Sequence, residues 1–98
     1  MELVKNANKE DIINLGFREI DSKICRYERK IDDNKFLCIG NDRCVYLKIL
    51  YYGKDGKSNF YRTYYDDKKN LRYCKDLLNM NLLDNFYSKG IKQLSFIF

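Results

Sequence analysis

Residues 44 to 65, CVYLKILYYGKDGKSNFYRTYY, set two runs rich in β-branched and aromatic residues on either side of a polar turn. Such residues suit a pleated, half-buried surface. Asp55-Gly56 between them is a hairpin signal, because both central positions of a two-residue type I′ loop need positive φ. The stretch therefore predicts a β-hairpin around which the rest of the chain packs. With Asp55-Gly56 at the tip, Tyr52 pairs with Asn59, Leu50 with Tyr61, Lys48 with Thr63 and Tyr46 with Tyr65. Alternation then puts Val45, Leu47, Ile49 and Tyr51 on the other face, beside Phe60, Arg62 and Tyr64. That second face is the more apolar and is assigned to the core. The face carrying Tyr46, Lys48, Tyr52, Tyr61 and Tyr65 is left as a candidate binding surface. A loop running from Gly53 to Lys57 would loosen this register, and a slip of one residue would invert it.

Elsewhere the pattern is of short elements. Asn8 can cap a helix that carries Glu10 and Asp11 in its first turn and ends at Gly16, with Phe17 folding back. Arg18 to Asp21 reads as a brief strand. Ile24 to Ile31 reads as a better one, with Cys25, Tyr27 and Ile31 on one side and Arg26, Glu28 and Lys30 on the other. Asp32 to Lys35 turns the chain into a strand over Phe36 to Ile39. After the hairpin, Leu71, Cys74, Leu78 and Leu82 form a helical stripe with Leu77 beside it. The spacing predicts a helix from about Lys69 to Asn79, capped by Asp66 or Asp67. A break at Asn79-Met80-Asn81 follows, then further helical turns from Leu82 to Lys89, then a last strand over Gln93 to Phe98. The expected fold is a single α+β domain over residues 1 to 98. It is an antiparallel sheet of about five to six strands, with a short N-terminal helix and C-terminal helices packed on one face.

Composition narrows the chemistry. Ninety-eight residues suffice for one modest core. The first six residues, Met1 to Asn6, lack the charged start and apolar run of a secretory signal, and no apolar run is long enough to span a bilayer, so a cytoplasmic location and no membrane partner are expected. The chain has no histidine, which removes the commonest general base, and it carries no phosphate-cradling glycine loop, nucleophile elbow or metal motif. Asp32-Asp33 and Asp66-Asp67 sit where turns and helix caps need Asp. Cys25, Cys38, Cys44 and Cys74 are separated by atypical intervals for a four-thiolate zinc site and read as buried thiols. No catalytic residue, metal or cofactor is expected, and the chain does not read as an enzyme.

The net charge is +5, and the excess of basic over acidic residues lies in the second half. Tyrosines are interleaved with cations at Arg26-Tyr27, Tyr61-Arg62 and Arg72-Tyr73. Bases stack on aromatic rings while Lys and Arg meet phosphates, and tyrosine is equally a favoured anchor in protein interfaces. The candidate binding residues are accordingly Tyr46, Lys48, Tyr52, Tyr61, Arg62 and Tyr65.

The run Glu10-Asp11-Ile12-Ile13-Asn14-Leu15-Gly16-Phe17, the short tyrosine-rich strands and the helix from Asn70-Leu71 to Leu78 together resemble small proteins of phages and mobile elements in low-GC bacteria. These include anti-CRISPR and other anti-defence factors. The resemblance implies a stoichiometric inhibitor that occupies a surface of a host defence protein or ribonucleoprotein complex, and it assigns a role to no individual residue. Inhibitors that imitate DNA are acidic, whereas this chain is basic, so the implied target is a protein surface or a guide RNA. The alternative is a small basic module that binds RNA, DNA or a signalling nucleotide on a tyrosine-rich sheet face. Association into a homodimer through a sheet edge is compatible with either.

Overall fold

The structure, a computed structural model, describes residues 1–84. Its elements in chain order are β1 (Glu2–Leu3), α1 (Lys9–Asn14), β2 (Arg18–Glu19), β3 (Cys25–Asp32), β4 (Lys35–Gly40), β5 (Val45–Tyr52), β6 (Asn59–Tyr64), α2 (Asp67–Asn70), a 3-10 turn (Leu71–Tyr73), α3 (Lys75–Asn79) and β7 (Leu83–Asp84). Strands β2 to β6 form one antiparallel meander in sequence order, and β1 pairs with β7 in a small second sheet. The fold is α+β, as the alternation of short strands and capped helices predicts.

Side-chain alternation decides where the core lies. Tyr27, Leu37, Ile39 and Val45 point from the central strands to one side, where they meet Ile12 of α1, Phe17, Leu71, Cys74, Leu77 and Leu82. Each large apolar side chain buried there contributes ~1.5–3 kcal/mol. The N-terminal helix forms as its sequence specifies. Asn8 accepts from the Glu10 amide at 2.9 Å, and Gly16 takes φ +94° just past the helix end, so that Phe17 turns inward.

The hairpin register is the expected one: Tyr52 pairs with Asn59, Leu50 with Tyr61 and Lys48 with Thr63. Its tip is not the two-residue turn that Asp55-Gly56 suggests. Gly53 and Ser58 close a longer loop in which only Gly56 has positive φ, at +69°. The Asp55 carboxylate explains the difference, since it accepts from the Lys57 and Ser58 amides at 2.9 Å each and so stabilises the wider turn.

Two other expectations give way. The helix foreseen over Lys69 to Asn79 is three pieces: α2 passes into the 3-10 turn at Leu71, and Cys74 then leaves helical geometry at φ −129°, ψ 27° before α3 begins. The Tyr73 carbonyl there accepts from Arg29 Nη2 at 2.7 Å, and the Cys74 thiol donates back to the Asn70 carbonyl at 3.4 Å. Asp66 caps the first piece through the Lys69 amide. Past the break, where Asn81 has φ +59°, Leu83 and Asp84 extend as β7 to pair with Leu3 and Glu2 and do not continue as a helix. The remainder of that second helix and the last strand over Gln93 to Phe98 fall outside the described residues.

A register shift between Cys25 and Tyr27 moves one side chain across the sheet. Strict alternation places Cys25 with Tyr27 and Ile31, but the irregularity turns Cys25 to the opposite face, where it packs with Cys38 and Tyr46. Glu28, which alternation sets with Arg26 and Lys30 on the other side from Tyr27, is buried on that same face.

Candidate aromatic and polar face of the sheet

On the side of the sheet away from the helices, one cross-strand row runs Arg18, Glu28, Cys38, Tyr46, and a second runs Lys30, Phe36, Lys48, Thr63. Lys48 Nζ donates to Glu28 Oε2 at 2.7 Å, and Arg18 Nη2 lies 3.4 Å from Glu28 Oε1, so each carboxylate oxygen has a cation. The Lys48 ammonium also lies 5.2 Å from the Phe36 ring centroid and 4.8 Å from that of Tyr61. Burial works against the Lys48 charge, but the Glu28 hydrogen bond and neighbouring negative charge outweigh it, and its pKa stays above the usual lysine value.

The predicted binding residues separate into three groups. Tyr46 is only 3% exposed and packs against Cys25 and Cys38, with its ring centroid 5.1 Å from that of Tyr65. Burial raises its hydroxyl pKa first, and the neighbouring thiols raise it further. Tyr46 thus supports the surface from beneath and offers no ring to a partner. Tyr52, Tyr61 and Tyr65 are 63%, 56% and 55% exposed and do present theirs. Arg62 is on the reverse face, where its guanidinium carbon lies 5.6 Å from the Phe60 centroid and 5.9 Å from that of Tyr51. Tyr51 and Phe60 stack at 5.4 Å, and the Tyr51 and Tyr64 hydroxyls share a hydrogen bond of 2.7 Å.

The end of the hairpin therefore shows aromatic rings and a cation on both faces. Phe60 is the residue that sequence reasoning missed: placed with the core face by alternation, it lies beyond the reach of the core cluster and is 45% exposed. The signal was its neighbour Arg62, a side chain that rarely accompanies a fully buried strand face.

Beneath this surface, one sulfur or oxygen atom each from Cys25, Glu28 and Cys38 lies within 4.8 Å of the other two. All three residues are buried. Burial pushes the Cys38 thiol pKa up to about 12, with the nearby Cys25 sulfur adding to the shift. No protein-family model matches this chain, and no curated protein or solved structure matches it as a relative.

Proposed function

We propose that this chain is a non-catalytic binding protein that occupies the surface of a protein partner through its β5–β6 hairpin. One observation carries the reading. From Asn59 to Thr63 every residue of β6 is exposed, β6 is the last strand of the sheet among the described residues, and Phe60, Tyr61 and Arg62 project from it. Edge strands are ordinarily protected by charge, twist or cover, so an aromatic one is a surface poised for strand addition or for entry into a cleft. Tyrosine and arginine are also the anchors most enriched at interface centres.

Both-sided display favours a protein over a nucleic acid. Stacking of bases uses one open sheet face with free cations beside it. Here Lys48, the cation beside the Tyr61 ring, is engaged by Glu28, and Arg18 contacts the same carboxylate. Together with the resemblance to phage anti-defence factors, this supports stoichiometric inhibition of a host defence complex in the cytoplasm. The net charge of +5 favours the second reading, an RNA- or DNA-binding module.

The deciding experiment is capture from a low-GC bacterial host lysate, with and without nuclease, using the full chain and its F60S/Y61S variant. A stoichiometric protein partner that survives nuclease and is lost with the variant supports the proposal. Recovery of nucleic acid alone, released steeply by salt, establishes the second reading in its place.

A further inference from the structure

We propose that Cys25, Cys38 and Glu28 form a binding site for a soft divalent cation, with zinc the ion that best fits the donor set. The three side chains come from neighbouring strands, and the register shift after Cys25 brings its sulfur to the face that Glu28 and Cys38 share. A tetrahedral zinc ion with Zn–S of about 2.3 Å and Zn–O of about 2.0 Å needs donor separations of about 3.5–3.8 Å. The three donors already lie within 4.8 Å of one another, so closing on an ion takes at most about 1 Å of side-chain adjustment. Two thiolates and a carboxylate match zinc better than magnesium or calcium, which take oxygen donors.

Charge balance provides an independent argument. Two thiolates, one carboxylate and a divalent ion sum to one negative charge in a buried place. Lys48 at 2.7 Å and Arg18 at 3.4 Å from the Glu28 oxygens supply compensating positive charge. Each carboxylate oxygen has about two lone-pair sites, so its cation partner leaves room for the metal. On binding, each thiol loses its proton to solvent and forms one S–Zn bond, and two protons leave as two positive charges arrive. The net charge of the site is then the same empty and filled. Glu28 connects the site to the surface, since it also lines an open depression of about 430 Å³ with Gly16, Arg18, Lys30 and Phe36. The three residues supply three of the four donors of a tetrahedral ion, and water completes the set. Cys74 lies apart in the main core and Cys44 lies outside both buried clusters, so they serve as internal controls.

The test uses Co²⁺ as the probe on the reduced full chain. The expected result is a near-ultraviolet sulfur-to-cobalt band of two-thiolate intensity, saturating at one ion per chain and displaced by Zn²⁺. The C44A/C74A variant keeps the band, C25A and C38A lose at least half of it, and K48M, which removes a partner of the carboxylate, weakens binding about tenfold. Native mass spectrometry of the unaltered chain with Zn²⁺ removes any dependence on variants that fold poorly, because the bound ion should appear with the loss of two protons. Absence of the band and of the zinc adduct overturns the proposal. So does a band that survives in C25A/C38A and disappears in C44A/C74A.

Discussion

Arg29 and Asp76, 47 positions apart, meet in a fork: Nη1 lies 2.5 Å from Oδ2 and Nη2 lies 3.4 Å from Oδ1. The same guanidinium donates to the Leu15 carbonyl at 2.9 Å and to the Tyr73 carbonyl at 2.7 Å, and its carbon sits 4.5 Å from the Phe17 ring centroid. One side chain on β3 thereby satisfies the end of α1 and the end of the 3-10 turn, and fastens α3 to the sheet. Helix ends leave carbonyls without intrahelical partners, and here a planar five-donor group collects them.

Removing that group should be felt across the helical layer. Arg29→Met keeps the stem over Phe17 but strands two carbonyls and the Asp76 carboxylate. Hydrogen bonds to charged groups are worth about 1.5–3 kcal/mol, and the partial exposure of Asp76 lets water replace some of the loss. We expect a destabilisation of about 2–3 kcal/mol, read as a lower urea midpoint at constant slope. Arg29→Lys should recover less than half, because an ammonium cannot reproduce the fork. A change below about 0.5 kcal/mol in Arg29→Met would show that the fork is incidental.

Tyr46 and Tyr61 lie on one face of the same hairpin and should behave oppositely. Tyr46→Ser empties a buried ring site between Cys25, Cys38 and Tyr65, and truncating a buried aromatic side chain typically costs 3–5 kcal/mol, so about 3 kcal/mol is expected. Tyr61→Ser removes an exposed ring and should change stability by less than about 0.5 kcal/mol while weakening partner binding at least tenfold. Thermal unfolding and binding measured on the same two variants check this. Equal stability loss in both would contradict the assignment of Tyr46 to the supporting layer.

The contrast also shows what the chain makes legible. Period-two alternation placed Val45 and Leu47 inward and Tyr46 and Tyr61 on the other face, and the strand pairing followed from it. Alternation says which face a residue shares, however, and not how deeply that face is covered, so Tyr46 looked as available as Tyr61. Cys25 was misplaced because a local register shift leaves no mark in a run of alternating residues. The role of Arg29 was equally hidden. Its partners are the carbonyls of Leu15 and Tyr73 and the side chain of Asp76, and long-range polar contacts of that kind have no sequence period.

Alkaline pH should weaken the fold through its buried thiols. Burial pushes the Cys38 and Cys74 thiols up to about 12, against an ordinary value of 9.0. A raised thiol pKa means that the folded state holds its proton more tightly than the unfolded state. The stabilisation is complete below about pH 9 and is lost as pH rises from there towards 12. Each thiol contributes a slope of up to about 1.4 kcal/mol per pH unit in that window. Urea midpoints measured under reducing conditions should be flat from pH 7 to 8.5 and fall steeply above pH 9. Cys74→Ala should reduce that slope, whatever it does to stability at neutral pH. An unchanged slope in Cys74→Ala would remove this thiol as a cause.

Gly53 and Gly56 lie in the same loop but should resist substitution for different reasons. At Gly56 a Cβ meets nothing within 4 Å, yet φ is +69°, so Ala there pays only the left-handed backbone cost of about 1 kcal/mol. Gly53 has no such φ, but a Cβ would stand 2.8 Å from the Ser58 carbonyl oxygen and 2.9 Å from the Ser58 Cβ. The obstructing carbonyl accepts the Gly53 amide bond that closes the loop, so it cannot withdraw without opening the closure. Gly53→Ala should therefore cost more than Gly56→Ala, about 2 kcal/mol, and should disturb the neighbouring Tyr52 and Asn59 pair. Denaturant unfolding gives the order of the two costs, and amide exchange at Tyr52 and Asn59 reports the local opening. If Gly56→Ala proves the costlier change, backbone handedness and not close approach controls the tip, and the loop would then tolerate widening at Gly53 without loss of the aromatic strand beyond it.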